Sequence, residues 1–224
     1  MNEFGLLDYV RMFRKKGIRL PLNYFFENHF YDLVHKTDTH ARIEKEKFID
    51  RPESFEHGVL YMCSWTSVVK KATELAVSMS HLSPNEVCFI DIGCGKGKVL
   101  CIWEEMFREY QESIFLGIDY SKSLLAVCKN NLNLLNAKKT ELFCGDILTF
   151  DFEKFCTQKT LFLYMYNPFD SVIVGKVLDK LKNRKVFIIY NNPVHDQIIV
   201  SKGFEKIYED EKWHPNATFS IYRS

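Results

Sequence analysis

Asp91-Ile92-Gly93-Cys94-Gly95-Lys96-Gly97 sets one carboxylate ahead of three glycines spaced two apart, directly after the apolar run from Val87 to Ile92. A strand, a glycine bend and a helix in that order let backbone approach a ligand closely, and the amides at the helix start favour an anionic group. Three ligand chemistries use such a bend. A phosphate-binding P-loop needs glycine five places before Gly97 and Ser or Thr after Lys98, but those positions hold Ile92 and Val99. A dinucleotide turn counted from Gly93 needs a third glycine where Lys98 stands. Two further carboxylates follow at strand ends: Asp119 in Gly117-Ile118-Asp119-Tyr120-Ser121, and Asp146 in Cys144-Gly145-Asp146-Ile147. One carboxylate with two acceptor oxygens suits a vicinal diol such as a ribose.

The elements that must position these groups alternate. Short apolar runs at 87–92, 114–118, 141–144, 160–166 and 185–190 read as strands, and helical spacing at 98–110, 123–135 and 171–181 separates them. A further helix over 66–79 (Val68, Val69, Ala72, Leu75, Ala76, Met79) ends in the turn Leu82-Ser83-Pro84-Asn85. Runs at 204–209 and 218–223, joined by Trp213-His214-Pro215-Asn216, read as a closing hairpin. The expected fold is α/β: a Rossmann-like doubly wound sheet, mostly parallel with a C-terminal antiparallel hairpin, plus a small N-terminal helical extension. The division falls at 1–57, a possible substrate or lid region, and 58–224, the cofactor-binding domain.

Asp91-x-Gly93-x-Gly95-x-Gly97 resembles motif I of the class I S-adenosylmethionine-dependent methyltransferases, and the resemblance extends over about residues 61 to 224. It implies a seven-stranded sheet and S-adenosylmethionine as cofactor. On that resemblance Asp91, Gly93, Cys94, Gly95 and Gly97 form the turn at the donor, Cys94 being a small side chain that fits it. Asp119, with Tyr120 beside it, would hold the ribose hydroxyls; Asp146 would accept from the adenine amine and the Ile147 N–H would donate to a ring nitrogen. Tyr61, before the first domain helix, stands where such enzymes place a donor lid.

Asn167-Pro168-Phe169 is similar to the Asn/Asp-Pro-Pro-Tyr/Phe signature of amino-group methyltransferases, although the second proline is absent and the aromatic residue comes one place early. Asn167 and Phe169 are therefore the acceptor-side candidates, with Asn167 also a cofactor neighbour. A sulfonium leaves without acid help, so positioning dominates and a base is required only for a hydroxyl or a charged amine. His195 and His214 are the base candidates. An amino group of a protein or small molecule is the first expectation for the acceptor. An RNA or DNA base is the alternative, and a non-catalytic cofactor-binding partner subunit is a third reading.

The 30 basic and 29 acidic residues leave a formal charge of +1, so no global field favours nucleic acid. The basic stretch Arg11, Arg14, Lys15, Lys16, Arg19 reads first as a solvated helix face, with the aromatics Tyr24, Phe25, Phe26, Phe30 and Tyr31 after it and a charged run from Arg42 to Lys47. Seven cysteines without a CxxC pair predict neither a zinc site nor a disulfide framework, and point to a reducing compartment. With no apolar run of spanning length and no leader pattern, the expectation is a cytoplasmic protein with no membrane partner.

Overall fold

The computed structural model describes residues 6–43, 47–58, 61–158 and 160–224. The chain begins with α1 (Leu6–Lys16), α2 (Arg19–Tyr24), a π-helical turn at Phe25–His29 and α3 (Phe30–His35). A two-residue ladder pairs β1 (Arg42–Ile43) with β2 (Tyr61–Met62), and a 3-10 turn at Glu53–His57 lies between them. Then follow α4 (Thr66–Ser80), β3 (Val87–Ile92), α5 (Lys98–Met106), β4 (Ile114–Asp119), α6 (Lys122–Leu134) and β5 (Thr140–Cys144). The remainder is α7 (Phe152–Phe155), β6 (Thr160–Tyr166), α8 (Ser171–Asp179), β7 (Lys185–Asn191), α9 (Asp196–Ser201), β8 (Glu205–Asp210) and β9 (Phe219–Arg223).

The main sheet has seven strands in the order β5-β4-β3-β6-β7-β9-β8, with the first five parallel and β9 antiparallel to both its neighbours. The closing hairpin expected from sequence is present, but its second strand lies inside and its first forms the edge. The helix α9 has no counterpart in the sequence reading. It is too short for a periodic signal and is held in place by buried Ile199 and by Asp196, which accepts from Lys206 Nζ at 2.8 Å and from the Tyr222 hydroxyl.

Alternation along β3 and β6 splits the core in two, because successive strand residues face opposite sides. Phe89, Phe162 and Tyr164 face α4, α5 and α6, where Val69, Ala72, Trp103 and Cys128 are fully buried. Cys88, Ile90, Leu161 and Leu163 face α8 and α9, where Ile173, Val177, Leu178 and Ile199 cover them. Helices on both faces leave only the strand ends for a ligand, and the crevice opens where β3 has β4 on one side and β6 on the other. Among the described residues, no helix is long and apolar enough to cross a membrane. Six of the seven cysteines are buried, Cys144 being the exposed one, and none is in a disulfide.

Candidate donor and active site

The carboxyl ends of β3, β4, β5 and β6 deliver the glycine turn, Asp119, Asp146 and Tyr166 to the rim of one cavity that opens to solvent. Asp91, Gly93, Cys94, Asp119, Tyr120, Asp146, Ile147 and Phe169, all singled out in the sequence, line it. So does Tyr61. The walls therefore come from segments far apart in the chain.

The turn itself works differently from a phosphate cradle. Gly93 and Cys94 amides both donate to Ile118 O, at 2.8 and 3.1 Å; the Gly97 amide donates to Cys94 O at 2.8 Å. The Gly95 amide donates to Asp119 Oδ2 at 2.9 Å, and the Lys96 amide reaches the Tyr61 hydroxyl at 3.4 Å. Every amide from 93 to 97 thus has a protein partner. What the turn offers is shape: at Gly95, with φ +52°, a Cβ would stand 2.0 Å from the Tyr61 ring.

Three of the expected contacts are not among the residues that line the cavity. At Gly97 a Cβ would meet Cys128 Sγ at 2.3 Å, so this position also needs glycine for the packing of α5 on α6. Gly95 lies beneath Tyr61 instead of in the cavity wall. Asn167, at φ +41°, also lies outside the wall; its Oδ1 accepts from the Tyr190 hydroxyl at 3.2 Å, a bond the sequence could not reveal. The bend at Asn167 instead carries Pro168 onto the turn, its Cβ 3.0 Å from where a Gly93 Cβ would be. The base candidates are likewise outside the wall: His214 stacks on Trp65 at 5.4 Å and accepts from the Asn216 amide at 3.2 Å, and His195 begins α9.

Other wall residues were not legible as site residues. Lys98, used in the sequence reading only to exclude a dinucleotide, is 2% exposed and lines the cavity. Its Nζ donates to Asn28 Oδ1 at 2.7 Å and to Glu27 O, clamping the π-helical turn onto the start of α5; burial lowers its pKa. Lys96 Nζ holds Asp38 at 2.6 Å, while Asn131 donates to both Asp38 O and Lys96 O. Asp32 fixes the same segment by accepting from Thr37, Thr39 and His40; burial raises its pKa, but these hydrogen bonds outweigh that and hold it near about 2. The segment ends in a roof over the Asp119 side of the cavity, where Phe48 and Phe55 meet the Tyr120 ring at 5.8 and 6.0 Å. Val59 and Leu60 of the expected lid, and Glu44, Lys45 and Glu46 of the charged run, lie outside the described residues.

The donor set fits a nucleoside that carries a cationic amino-acid tail. Asp119 is 9% exposed, with Oδ1 accepting the Ser121 amide at 2.8 Å and Oδ2 the Gly95 amide, so the carboxylate is locked facing the cavity with lone pairs left for a diol. Burial raises its pKa to about 6 despite those two bonds. Asp91 is pushed well above the usual carboxylate range, by burial first and then by the Asp119 charge, a setting that a ligand cation relieves. Asp146 caps the 3-10 turn at Ile147–Thr149 by accepting the Leu148 amide at 2.9 Å, which aims it along the cavity beside Ile147.

A doubly wound sheet with a glycine turn on its first parallel strand and acids on the next two defines a nucleoside-cofactor-binding α/β protein. A family model described as a methyltransferase domain matches residues 84–214, more than half of the chain, and the chain belongs to that family. The chain is 23% identical to carboxy-S-adenosyl-L-methionine synthase of Campylobacter lari over 137 residues, 60% of this chain and 56% of that protein, and so spans little more than half of the curated relative it matches. Its fold is similar to that of magnesium protoporphyrin IX methyltransferase from Synechocystis, solved with S-adenosylmethionine bound, with a TM-score of 0.52, 10% identity and coverage of 90% and 93% of the two chains. It is also similar to an RNA methyltransferase of Salinibacter ruber in complex with S-adenosylhomocysteine, at TM-score 0.46 and 16% identity over 70% and 88% of the chains.

The Asp119 environment sets a pH dependence. A diol needs the ionised carboxylate as acceptor, so S-adenosylhomocysteine affinity is expected to fall as pH drops through about 6. At pH 5 about nine-tenths of the free protein would carry a protonated Asp119, a loss of about tenfold relative to pH 8. Calorimetric titrations between pH 5 and pH 8 check this: a flat wild-type profile contradicts the assignment, and Asp119→Asn should remove most of the slope.

Proposed function

We propose that this chain transfers the methyl group of S-adenosylmethionine to an amino group of a protein or small molecule. The observation that carries the donor half is the convergence of Asp91, Asp119 and Asp146 on one cavity beside the glycine turn. When bound, S-adenosylmethionine supplies a methyl group activated by its sulfonium. The protein's part is to orient and to exclude water: Asp119 and Asp146 hold the nucleoside, Asp91 faces the cationic end, and Tyr61, Phe48 and Tyr120 cover them. Pro168 and Phe169 lie in the wall, which supports the Asn167-Pro168-Phe169 likeness at its aromatic position and not at Asn167. The test is incubation of cell extract with methyl-labelled donor, followed by separation of protein, RNA and small molecules. Label in a protein or small-molecule amine supports the reading, and label confined to RNA or to hydroxyl groups overturns it.

A nucleic-acid base is the second reading, favoured by exposed Phe25, Phe26 and Phe30 close in sequence to exposed Arg14, Lys15 and Lys16. Stacking on aromatics with nearby cations suits single strands. On this reading activity on RNA drops steeply between low and physiological salt, whereas a salt-independent rate rejects it.

A further inference from the structure

One histidine beside the cavity was named by neither the sequence reading nor the resemblance. His57 closes the 3-10 turn at Glu53–His57, and its Nδ1 is 2.6 Å from Asp170 Oδ2. The other oxygen of Asp170 accepts from the Val172 and Ile173 amides, at 3.0 and 3.2 Å, as the N-cap of α8. The Asp170 amide in turn donates to His57 O at 2.9 Å, and the next residues, Gly58 and Phe169, form an antiparallel bridge. The imidazole is therefore held at its ring and at its backbone by one aspartate that is itself fixed by a helix start.

The location gives the pair a use. Gly58 and Phe169, each adjacent in the chain to one member, line the donor cavity, and Pro168 rests on Gly93 of the glycine turn. The side chains of His57 and Asp170 are 38% and 41% exposed; neither lines the cavity, but each is the chain neighbour of a residue that does. A carboxylate only accepts, so the Nδ1 nitrogen carries the proton and Nε2 carries the lone pair. Among the described residues none hydrogen-bonds Nε2. A structural histidine would have both nitrogens satisfied or buried; this one presents a basic nitrogen to solvent with its tautomer fixed from behind.

We propose that His57 is the general base of methyl transfer and Asp170 its positioning residue. The inference rests on the donor reading above and deepens it, because a base is useful only for an acceptor that must lose a proton, a hydroxyl or an ammonium. The acceptor atom forms its bond to the methyl carbon as the carbon–sulfur bond breaks, with that electron pair staying on sulfur. The acceptor's proton passes to His57 Nε2. The imidazolium so formed is stabilised by the Asp170 carboxylate and releases its proton to solvent.

The test uses the full chain, tritiated S-adenosylmethionine and cell extract as the source of acceptor. His57→Ala is expected to lower methyl transfer by about 10²–10⁴-fold while S-adenosylhomocysteine affinity stays within twofold, and added imidazole should restore part of the rate. Asp170→Asn keeps the cap through its amide oxygen and is expected to lose about tenfold or more, with Asp170→Glu recovering part of it. In long-range 15N–1H spectra of the protein alone, His57 should show a protonated Nδ1 and a bare Nε2. A rate unchanged in His57→Ala, a loss that imidazole does not relieve in a folded variant, or an Nε2-protonated ring overturns the proposal. Failure of the wild type to bind S-adenosylhomocysteine would remove the donor reading instead, whatever the tautomer.

Discussion

Asp119→Ala is expected to weaken S-adenosylhomocysteine binding by about 10²–10⁴-fold at pH 8. Two ribose hydroxyls lose a charged acceptor, at about 1.5–3 kcal/mol each, which converts to that range at 1.4 kcal/mol per tenfold. The substitution also strips the Gly95 and Ser121 amides of their acceptor, so the turn loosens where the donor sits. Asp119→Asn separates these effects: its amide oxygen can keep one backbone bond, and its loss should be smaller. Calorimetry with a thermal-melt control reads both variants. An alanine variant that folds and binds like the wild type would falsify the donor site as drawn.

The second large effect is on stability. Gly97→Ala places a Cβ on a residue with φ +81° and drives it to 2.3 Å from Cys128 Sγ and 3.6 Å from the Cys128 Cα. The left-handed conformation costs an alanine about 1–2 kcal/mol, and overpacking between α5 and α6 adds about 1–3 kcal/mol. The expected sum, about 2–5 kcal/mol, is a large part of the 5–15 kcal/mol typical of a domain. Urea unfolding should therefore show a clear drop in midpoint. Combining it with Cys128→Ala removes the sulfur contact but not the backbone strain, so the cycle should recover only the packing share. Full recovery would show that the φ value carries no cost. A midpoint unchanged in the single variant would show that the turn is not built as described.

These two residues mark different kinds of legibility. Asp119 was readable because a carboxylate at the end of a parallel strand has few neighbours in sequence that could claim it, and its place after β4 follows from the strand–helix alternation. Gly97 was readable as a glycine, but its packing against Cys128 was not. The pattern reports that no side chain is tolerated, and both a cofactor and a packed helix impose that condition. Asn167 is a related case: an Asn-Pro pair announces a bend, but the bond from the Tyr190 hydroxyl to its Oδ1 depends on β7, a strand away. Lys98 shows the reverse case, a residue that looked like a mismatch and is a buried clamp between α5 and the N-terminal segment.

The hydrophobic runs and their spacing determined by themselves the strand and helix order, the doubly wound sheet and the carboxyl-end location of the ligand, because period and alternation are local properties of the chain. The roles of the three acids and the glycines came from the motif resemblance, which that order then placed at successive strand ends. Tertiary structure alone decided what surrounds them: that Phe48 and Gly58 line the cavity, that the turn amides are spent within the protein, and that His57 meets Asp170. Those pairs lie far apart in sequence, 113 residues in the last case. No periodicity encodes such a meeting; it exists only once the helices and strands have packed and the loops between them have been brought to one edge.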